Sequence, residues 1–403
     1  MSYFDKPQQV RTRKIIFQIH VWTGLILGLY MLLIGTSGSI LVFDHDLARI
    51  SSLRTPPIGR IKGAVSETNV AATLRAVQKI FPKDEVSGIT LSTSSEPLTK
   101  VFLRTKAGEM FSVSINPHTG AMTRSGEPPW LLWTFHLHRD LLAGNIGLLV
   151  NGIGACFLLI LCISGIVVWW PGVKHWRYAL SIRFKGSWKR INWDIHRAVG
   201  FWTLALLSMW AISGIYFVWS KQCSDLINRF SSISATLPPH FVVPVRAKSP
   251  WPVLDVMLTQ AKLSSPESIL SGINFPSNST SPLTVYMARG ERGDFNHMDY
   301  VYLDPSTGKQ LAIWHRGVNP TFGSKLVFWL VPLHFGIDWG LPIKIIWACC
   351  GLGLPTLFIT GTLMYWNRSL SKQWRLLKGN SMIDRKMHDL DRTSRIESRQ
   401  LVD

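Results

Sequence analysis

Charge is scarce in this sequence. Asp, Glu, Lys and Arg make up 17% of its 403 residues, whereas 47% are apolar and 18 are Trp. Soluble domains carry about 25% charged residues, so a wholly water-exposed fold is excluded. Cysteine is scarce too. Of the five, Cys156, Cys162, Cys349 and Cys350 fall inside apolar runs and Cys223 has no obvious partner, which leaves neither a disulfide framework nor a zinc-ligand spacing. Also missing are a Gly-rich dinucleotide fingerprint, a P-loop, an HExxH pair and a nucleophile motif with partners. Acid is absent where base is dense. Residues 171–192 hold Lys174, Arg177, Arg183, Lys185, Lys189 and Arg190 without one Asp or Glu, and the tail after Tyr365 is basic from Arg368 to Arg399. The net charge of +19 would suit nucleic acid if it were spread over a soluble surface. Confined to segments that flank apolar runs, it follows the positive-inside rule, so the expected partner is membrane lipid and not nucleic acid.

Long apolar runs are what the chain has in their place, in blocks at roughly 15–43, 146–170, 196–219 and 343–366. Each is long enough as a helix to cross a bilayer. Arg11, Arg13 and Lys14 precede the first block in the manner of a signal peptide. The block is too long for a signal core and no small-x-small cleavage site follows it, so it reads as a retained anchor. Trp169-Trp170 closes the second block and suits a membrane interface. The charge bias places residues 1–14, 171–192 and 367–403 in the cytoplasm. Residues 44–142 and 220–342 then lie outside, which in a Gram-negative bacterium is the periplasm.

The sequence also repeats itself. His20, Gly24 and Gly38 recur at one constant offset as His196, Gly200 and Gly214. His20 and Gly38 are separated by a whole number of helical turns, so they are expected on one face. His138 precedes Ser164-Gly165 by the same interval that separates His334 from Thr360-Gly361. The turn Asn116-Pro117-His118-Thr119-Gly120 returns as Asp304-Pro305-Ser306-Thr307-Gly308. Before the first turn, Ser66 is placed to cap a helix with the apolar stripe Val70, Leu74, Val77 and Phe81. Strand-like runs follow at Ile89–Ser92, Val101–Arg104 and Phe111–Ile115. Before the second, a helix is expected near Val253–Lys262, with strands near Ile269–Phe275, Leu283–Arg289 and Tyr300–Leu303.

These periods predict a membrane α-helical fold, a four-span bundle made from two tandem repeats, each carrying a small α+β periplasmic domain. The divisions are a cytoplasmic N-terminus with the first span (1–45), an α+β domain (46–129), and an interfacial helix with the second span (130–171). A basic loop (172–192), the third span (193–220), a second α+β domain (221–324), an interfacial segment with the fourth span (325–366) and a cytoplasmic tail (367–403) complete the chain. Two spans per copy make both copies cross in one direction, related by a pseudo-twofold along the membrane normal. His20 then faces His196 on the inner side and His138 faces His334 on the outer side.

The paired His-x3-Gly starts, the Ser-Gly and Thr-Gly steps, the two Pro-x-Thr-Gly turns and the run Asn192-Trp193-Asp194-Ile195-His196-Arg197 resemble PepSY-associated transmembrane proteins over nearly the whole chain. Among these, the resemblance points to inner-membrane ferric-siderophore reductases that bind b-type haem. It implies an enzyme that passes electrons across the membrane to a ferric siderophore, such as one of hydroxamate type, and releases Fe(II) for uptake. The electron donor would be a quinol or a cytoplasmic reductase. Two haems b are expected, with His20, His196, His138 and His334 as axial ligands to haem iron. His45 and His136 are lesser candidates, and Gly24, Gly38, Gly200 and Gly214 would let a flat macrocycle approach the backbone. The competing reading is that the small residues pack helices and the histidines hydrogen-bond between them.

His118, His175, His240, His297, His315 and His388 read as surface, loop or headgroup contacts. Trp130, Trp133, Trp314 and Trp339 are expected near the floor of a docking site walled by the two α+β domains, or in an interfacial belt. Other readings remain open: a cytochrome b-type subunit that reduces a protein partner, and a non-redox, membrane-anchored PepSY binding or inhibitor module. A transporter is disfavoured because no broken helix or buried acid is apparent.

Overall fold

The computed structural model describes residues 10–371, apart from 54–55, 62–64, 66–68, 95–96, 109, 126–127, 174, 234–252, 279–280, 295–296, 319 and 337–338. Ser66, Lys174, His240, His388 and the basic tail from Lys372 onward lie outside the described residues. The first helices are α1 (Arg11–Ile26), α2 (Gly28–Leu41), α3 (Asp44–Leu53), α4 (Val70–Ile80), α5 (Pro129–Asp140) and α6 (Gly144–Trp169). They are followed by α7 (Trp188–Val218), α8 (Ser220–Asn228), α9 (Leu254–Ser264), α10 (Phe322–Phe335), α11 (Gly340–Gly351) and α12 (Gly353–Tyr365). The first five strands are β1 (Gly59–Arg60), β2 (Glu85–Thr90), β3 (Thr99–Arg104), β4 (Met110–Ile115) and β5 (Ala121–Ser125). The others are β6 (Ile269–Asn274), β7 (Leu283–Ala288), β8 (Met298–Leu303) and β9 (Gln310–His315). The chain forms two units, a helical one from 1–42, 134–219 and 333–403, and a sheet unit from 43–133 and 220–332.

In the helical unit, α6, α7 and the run Gly340–Ser369 are long and apolar enough to cross a membrane. The first block differs from expectation. It is broken at Leu27, where α1 and α2 meet at 64°, and the two count as a fourth span only if taken together. The joint has a physical cause in Gly28. A Cβ there would overlap the Phe358 ring of α12, which lies directly on the backbone, and glycine weakens a helix interior where such a wedge enters. The bend separates His20 from Gly38, so their shared face is not preserved. α7, by contrast, continues for 31 residues, about 45 Å at helical rise.

Packing closes these helices into a bundle. α6 lies between α1 and α7, while α12 packs on α7, α1 and α2. Met31, Leu158, Leu161, Leu207, Ala211 and Leu354 form its apolar centre. Small residues allow the close crossings that membrane helices favour. At Gly35 a Cβ would fall 2.8 Å from both the Gly351 carbonyl oxygen and the Leu354 Cβ.

The two α+β domains expected from the repeats share one sheet. Its nine strands are antiparallel, in the order β1-β5-β4-β3-β2-β6-β7-β8-β9. The halves join at β2 and β6, where Gly88 pairs with Asn274, Ile89 with Ile273 and Thr90 with Gly272. Left alone, each half would expose an unpaired strand edge, and pairing the two edges removes that hazard. The internal symmetry is close: β2 has its bulge between Val86 and Gly88, and β6 has its own between Leu270 and Gly272, at the equivalent place in the repeat. Both glycines serve the seam, since a Cβ at Gly88 would meet the Ile273 carbonyl oxygen at 2.9 Å and one at Gly272 the Ile89 oxygen at 2.6 Å.

One core serves both halves. Val70, Leu74 and Val77 of α4 and Leu254, Met257 and Ala261 of α9 are buried in it with the inward residues of the strands, such as Val101 and Leu103 of β3. The repeated turns form as the sequence predicts. Asn116 Oδ1 accepts the backbone N–H groups of His118 and Thr119, Asp304 Oδ1 accepts those of Ser306 and Thr307, and Gly120 and Gly308 close the turns at φ 67° and 74°. Burial works against charge on Asp304, but these hydrogen bonds hold its carboxyl below the usual carboxylate range.

Candidate functional site

The helical unit brings the four symmetric histidines together as two pairs. His20 on α1 meets His196 on α7, with ring centroids 6.5 Å apart and planes at 88°. His138 on α5 meets His334 on α10, at 6.3 Å and 65°. Both pairs cross between the repeats. His196 and Ser213, which contacts His334, both lie on unbroken α7, so the pairs stand about 25 Å apart along that helix.

Each ring is seated by its own repeat, through a hydroxyl on a neighbouring helix. His20 Nδ1 contacts Ser164 Oγ at 3.0 Å and His196 Nδ1 contacts Thr360 Oγ1 at 2.9 Å. His138 Nδ1 contacts Ser37 Oγ at 3.1 Å and His334 Nδ1 contacts Ser213 Oγ at 2.7 Å. The partners obey the repeat, Ser164 with Thr360 and Ser37 with Ser213. Sequence reasoning missed these hydroxyls as site residues, although each stands directly before a glycine that the repeat or the Ser-Gly and Thr-Gly steps pick out.

The hydroxyls also fix which nitrogen carries the proton. Each has one proton and donates it within its own helix: Ser164 to Leu161, Thr360 to Thr356, Ser37 to Leu33 and Ser213 to Met209 carbonyl oxygens. Towards the imidazole each can therefore only accept. With the hydroxyl protons so placed, Nδ1 is the protonated nitrogen and Nε2 keeps its lone pair. For His138 the Ile34 carbonyl oxygen, 3.2 Å from Nδ1, gives the same answer. Four imidazoles are thus set as Nδ1–H tautomers whose remaining nitrogen keeps a lone pair.

The approach helices are fixed at their C-termini. Asn151 Nδ2 donates to the His138 and Arg139 carbonyl oxygens, and Tyr30 OH donates to Asn151 Oδ1. Trp347 Nε1 and Trp210 Nε1 donate to the Leu333 and His334 carbonyl oxygens. Helix-terminal carbonyls otherwise lacking partners are satisfied in this way, and both histidines are positioned by it. α5 ends in a left-handed turn at Leu141 and Leu142, with φ 50° and 61°, a conformation costly for residues with a Cβ. α10 ends at Gly336, where a Cβ would meet Trp347 Cδ1 at 2.8 Å.

Of the four glycines expected at the rings, Gly38 faces an imidazole, its Cβ position lying 2.8 Å from His138 Cε1. Gly24, Gly200 and Gly214 face Leu161, Leu357 and Ala155. The glycines against the inner rings are Gly165 and Gly361, whose Cβ positions lie 3.4 and 3.2 Å from Cε1 of His20 and His196. A ring is seated by the helix opposite, so glycines one turn along its own helix are poor guides to the seat.

The lesser candidates are engaged elsewhere. His136 bonds to Asp140 at 3.2 Å, and His45 is exposed beside Asp44 in the sheet unit. Trp314 packs on Tyr300 in that unit, Trp339 packs on Trp347 in the helical one, and Trp130 and Trp133 are exposed on α5. A buried acid is present after all. Asp194 is fully buried at the start of α7 and held by Arg183, Arg190 and Arg197 at 3.7, 3.4 and 3.1 Å, while Asn192 Nδ2 donates to the Thr360 carbonyl oxygen. This ties the basic loop and the Thr360 seat to one turn of helix.

A bundle with helices fit to cross a membrane, carrying two histidine pairs and joined to an antiparallel sheet unit, defines a membrane protein of PepSY type. The family model for the PepSY-associated TM region matches residues 17–368, and the chain belongs to that family. No curated protein matches the chain.

Proposed function

We propose that this protein is a haem-b oxidoreductase of the bacterial inner membrane that passes electrons outward to reduce ferric siderophore. The observation that carries the reading is the pairing of four imidazoles across the repeats, each with Nδ1 against a Ser or Thr hydroxyl. The ring centroids of the pairs lie 6.5 and 6.3 Å apart, a separation that would admit one metal ion between two imidazoles. Among the described residues no group of three or more His, Cys, Asp or Glu gathers to hold a metal. Two imidazoles at each site would suit a cofactor that brings the remaining iron ligands itself. His20 and His196 would hold one haem b, and His138 and His334 a second. Bound in that way, haem supplies one-electron transfer.

Ser37, Ser164, Ser213 and Thr360 hold the rings and raise ligand basicity by accepting from Nδ1–H. The apolar centre keeps water from the space between the pairs. The basic segments face the cytoplasm, where a quinol or a reductase gives electrons, and the sheet unit lies in the periplasm. Reduction of a hydroxamate chelate releases iron because hard oxygen donors hold Fe(III) better than Fe(II).

The test uses dithionite-reduced protein, a ferric hydroxamate and a coloured Fe(II) trap. Reoxidation of the protein in step with trapped Fe(II), lost in His138→Ala and His334→Ala, is expected. Protein that stays reduced when the chelate is added rules out the siderophore as substrate.

A further inference from the structure

A cavity of about 360 Å³ opens in the helical unit between α1, the end of α6, the start of α7 and the residues following α12. Arg13, Lys14 and Arg368 line it with Phe17, Val168 and Trp193, and Gln18 completes the wall. No carboxylate is among these residues. Arg13 is set in place, since its Nη2 donates to the Val168 carbonyl oxygen at 2.7 Å. Its Nε, buried, has no hydrogen-bond partner among the described residues. Arg368 lies over the Phe17 ring at 5.0 Å. Three cations with no carboxylate among them call for an anion, and the fork of an arginine matches the oxygens of a phosphate.

The same corner shows where that anion comes from. Ile15, Ile19, Trp22 and Ile26 are exposed along α1, at a spacing that makes one stripe. It starts beside Lys14 and Gln18 of the cavity wall and runs down a helix of the membrane bundle. A headgroup in the cavity would leave its acyl chains on this stripe, whereas a free phosphate would gain nothing from it. A quinol is a poorer fit, because the lining has cations but no carboxylate or imidazole to take its protons.

We propose that this cavity binds the phosphodiester headgroup of an anionic phospholipid. Positive charge alone would attract such lipids to any cytoplasmic basic loop. A built site differs in that it depends on particular residues, and the experiment is arranged to separate the two.

Full-length protein in nanodiscs of phosphatidylcholine with a minor fraction of phosphatidylglycerol is released and weighed by native mass spectrometry. One phosphatidylglycerol per chain is expected to stay bound in preference to phosphatidylcholine. The double variant R13Q/R368Q should lose that preference about thirtyfold, and R177Q/K185Q, which removes equal charge from exposed positions between α6 and α7, should keep it. K14Q, at an exposed position, should lower it several-fold, and serves if the double variant does not fold. Equal retention of both lipids overturns the proposal. So does equal loss in the loop variant, or displacement by millimolar inorganic phosphate, which would make the site one for the free ion. None of these readouts depends on haem.

Discussion

Removing the hydroxyl that seats His334 should damage the outer pair far more than removing the one that seats His138. Ser213 Oγ is 2.7 Å from His334 Nδ1, and no other acceptor for that nitrogen exists among the described residues. His138 has two, Ser37 Oγ at 3.1 Å and the Ile34 carbonyl oxygen at 3.2 Å. Ser213→Ala leaves a buried N–H unpaired, at a cost of about 1–3 kcal/mol. Alanine's higher helix propensity returns about 0.5 kcal/mol of this. Ser37→Ala keeps the carbonyl and should cost less than about 1 kcal/mol. Loss of such a supporting bond also weakens metal holding, by about 10–100-fold.

The assay is the rate of haem transfer to an excess of apo-myoglobin, with thermal unfolding of the haem-free protein beside it. Ser213→Ala should release the outer haem at least several times faster than Ser37→Ala and unfold at lower temperature. Ser213→Thr should restore both, because Thr360 already fills the equivalent seat of His196. Equal effects of the two alanines, or no rescue by threonine, would refute the assignment of these hydroxyls as acceptors that fix Nδ1–H.

Two further predictions follow from the same geometry and from the charge pattern. Gly38→Ala places a Cβ where His138 Cε1 now lies 2.8 Å away, so it should cost about 1–3 kcal/mol by overpacking and shift the spectrum of the outer site. Gly24→Ala, 3.8 Å from Leu161, should be silent, and matching spectra for the two variants would remove Gly38 from the seat. Truncation fusions ending at Lys106 and at Gly290 should be active only with a reporter that works in the periplasm, and activity of a cytoplasmic reporter at either point would reverse the topology.

Much of the helical unit was legible because its evidence is periodic. The four histidines, their constant spacings to glycine and to the Ser-Gly and Thr-Gly steps, and the apolar blocks needed no partner to be read. The hydroxyls were harder. Ser37 or Ser164 in an apolar helix looks like any small packing residue, and its role depends on a ring from another helix. The break at Leu27 was hidden for a similar reason, because Phe358, near the other end of the chain, supplies the wedge. In the sheet unit the turns and most strands could be read from alternation and turn chemistry. That the halves fuse could not, since Ile89 and Ile273 pair only when both edges exist. The matching bulges at Val86 and Leu270 were visible only once the register was known.

Two haem sites, each held by two imidazoles, are the core of the proposed function. Haem content per chain, with optical and electron paramagnetic resonance spectra of purified protein, tests it most directly. Wild-type protein should bind two haems b per chain, both low-spin, and His20→Ala and His334→Ala should each remove one and leave the other unchanged. Protein without a Soret band, or both variants with full haem content and unaltered spectra, would make the pairs ring contacts between packed helices and contradict the account.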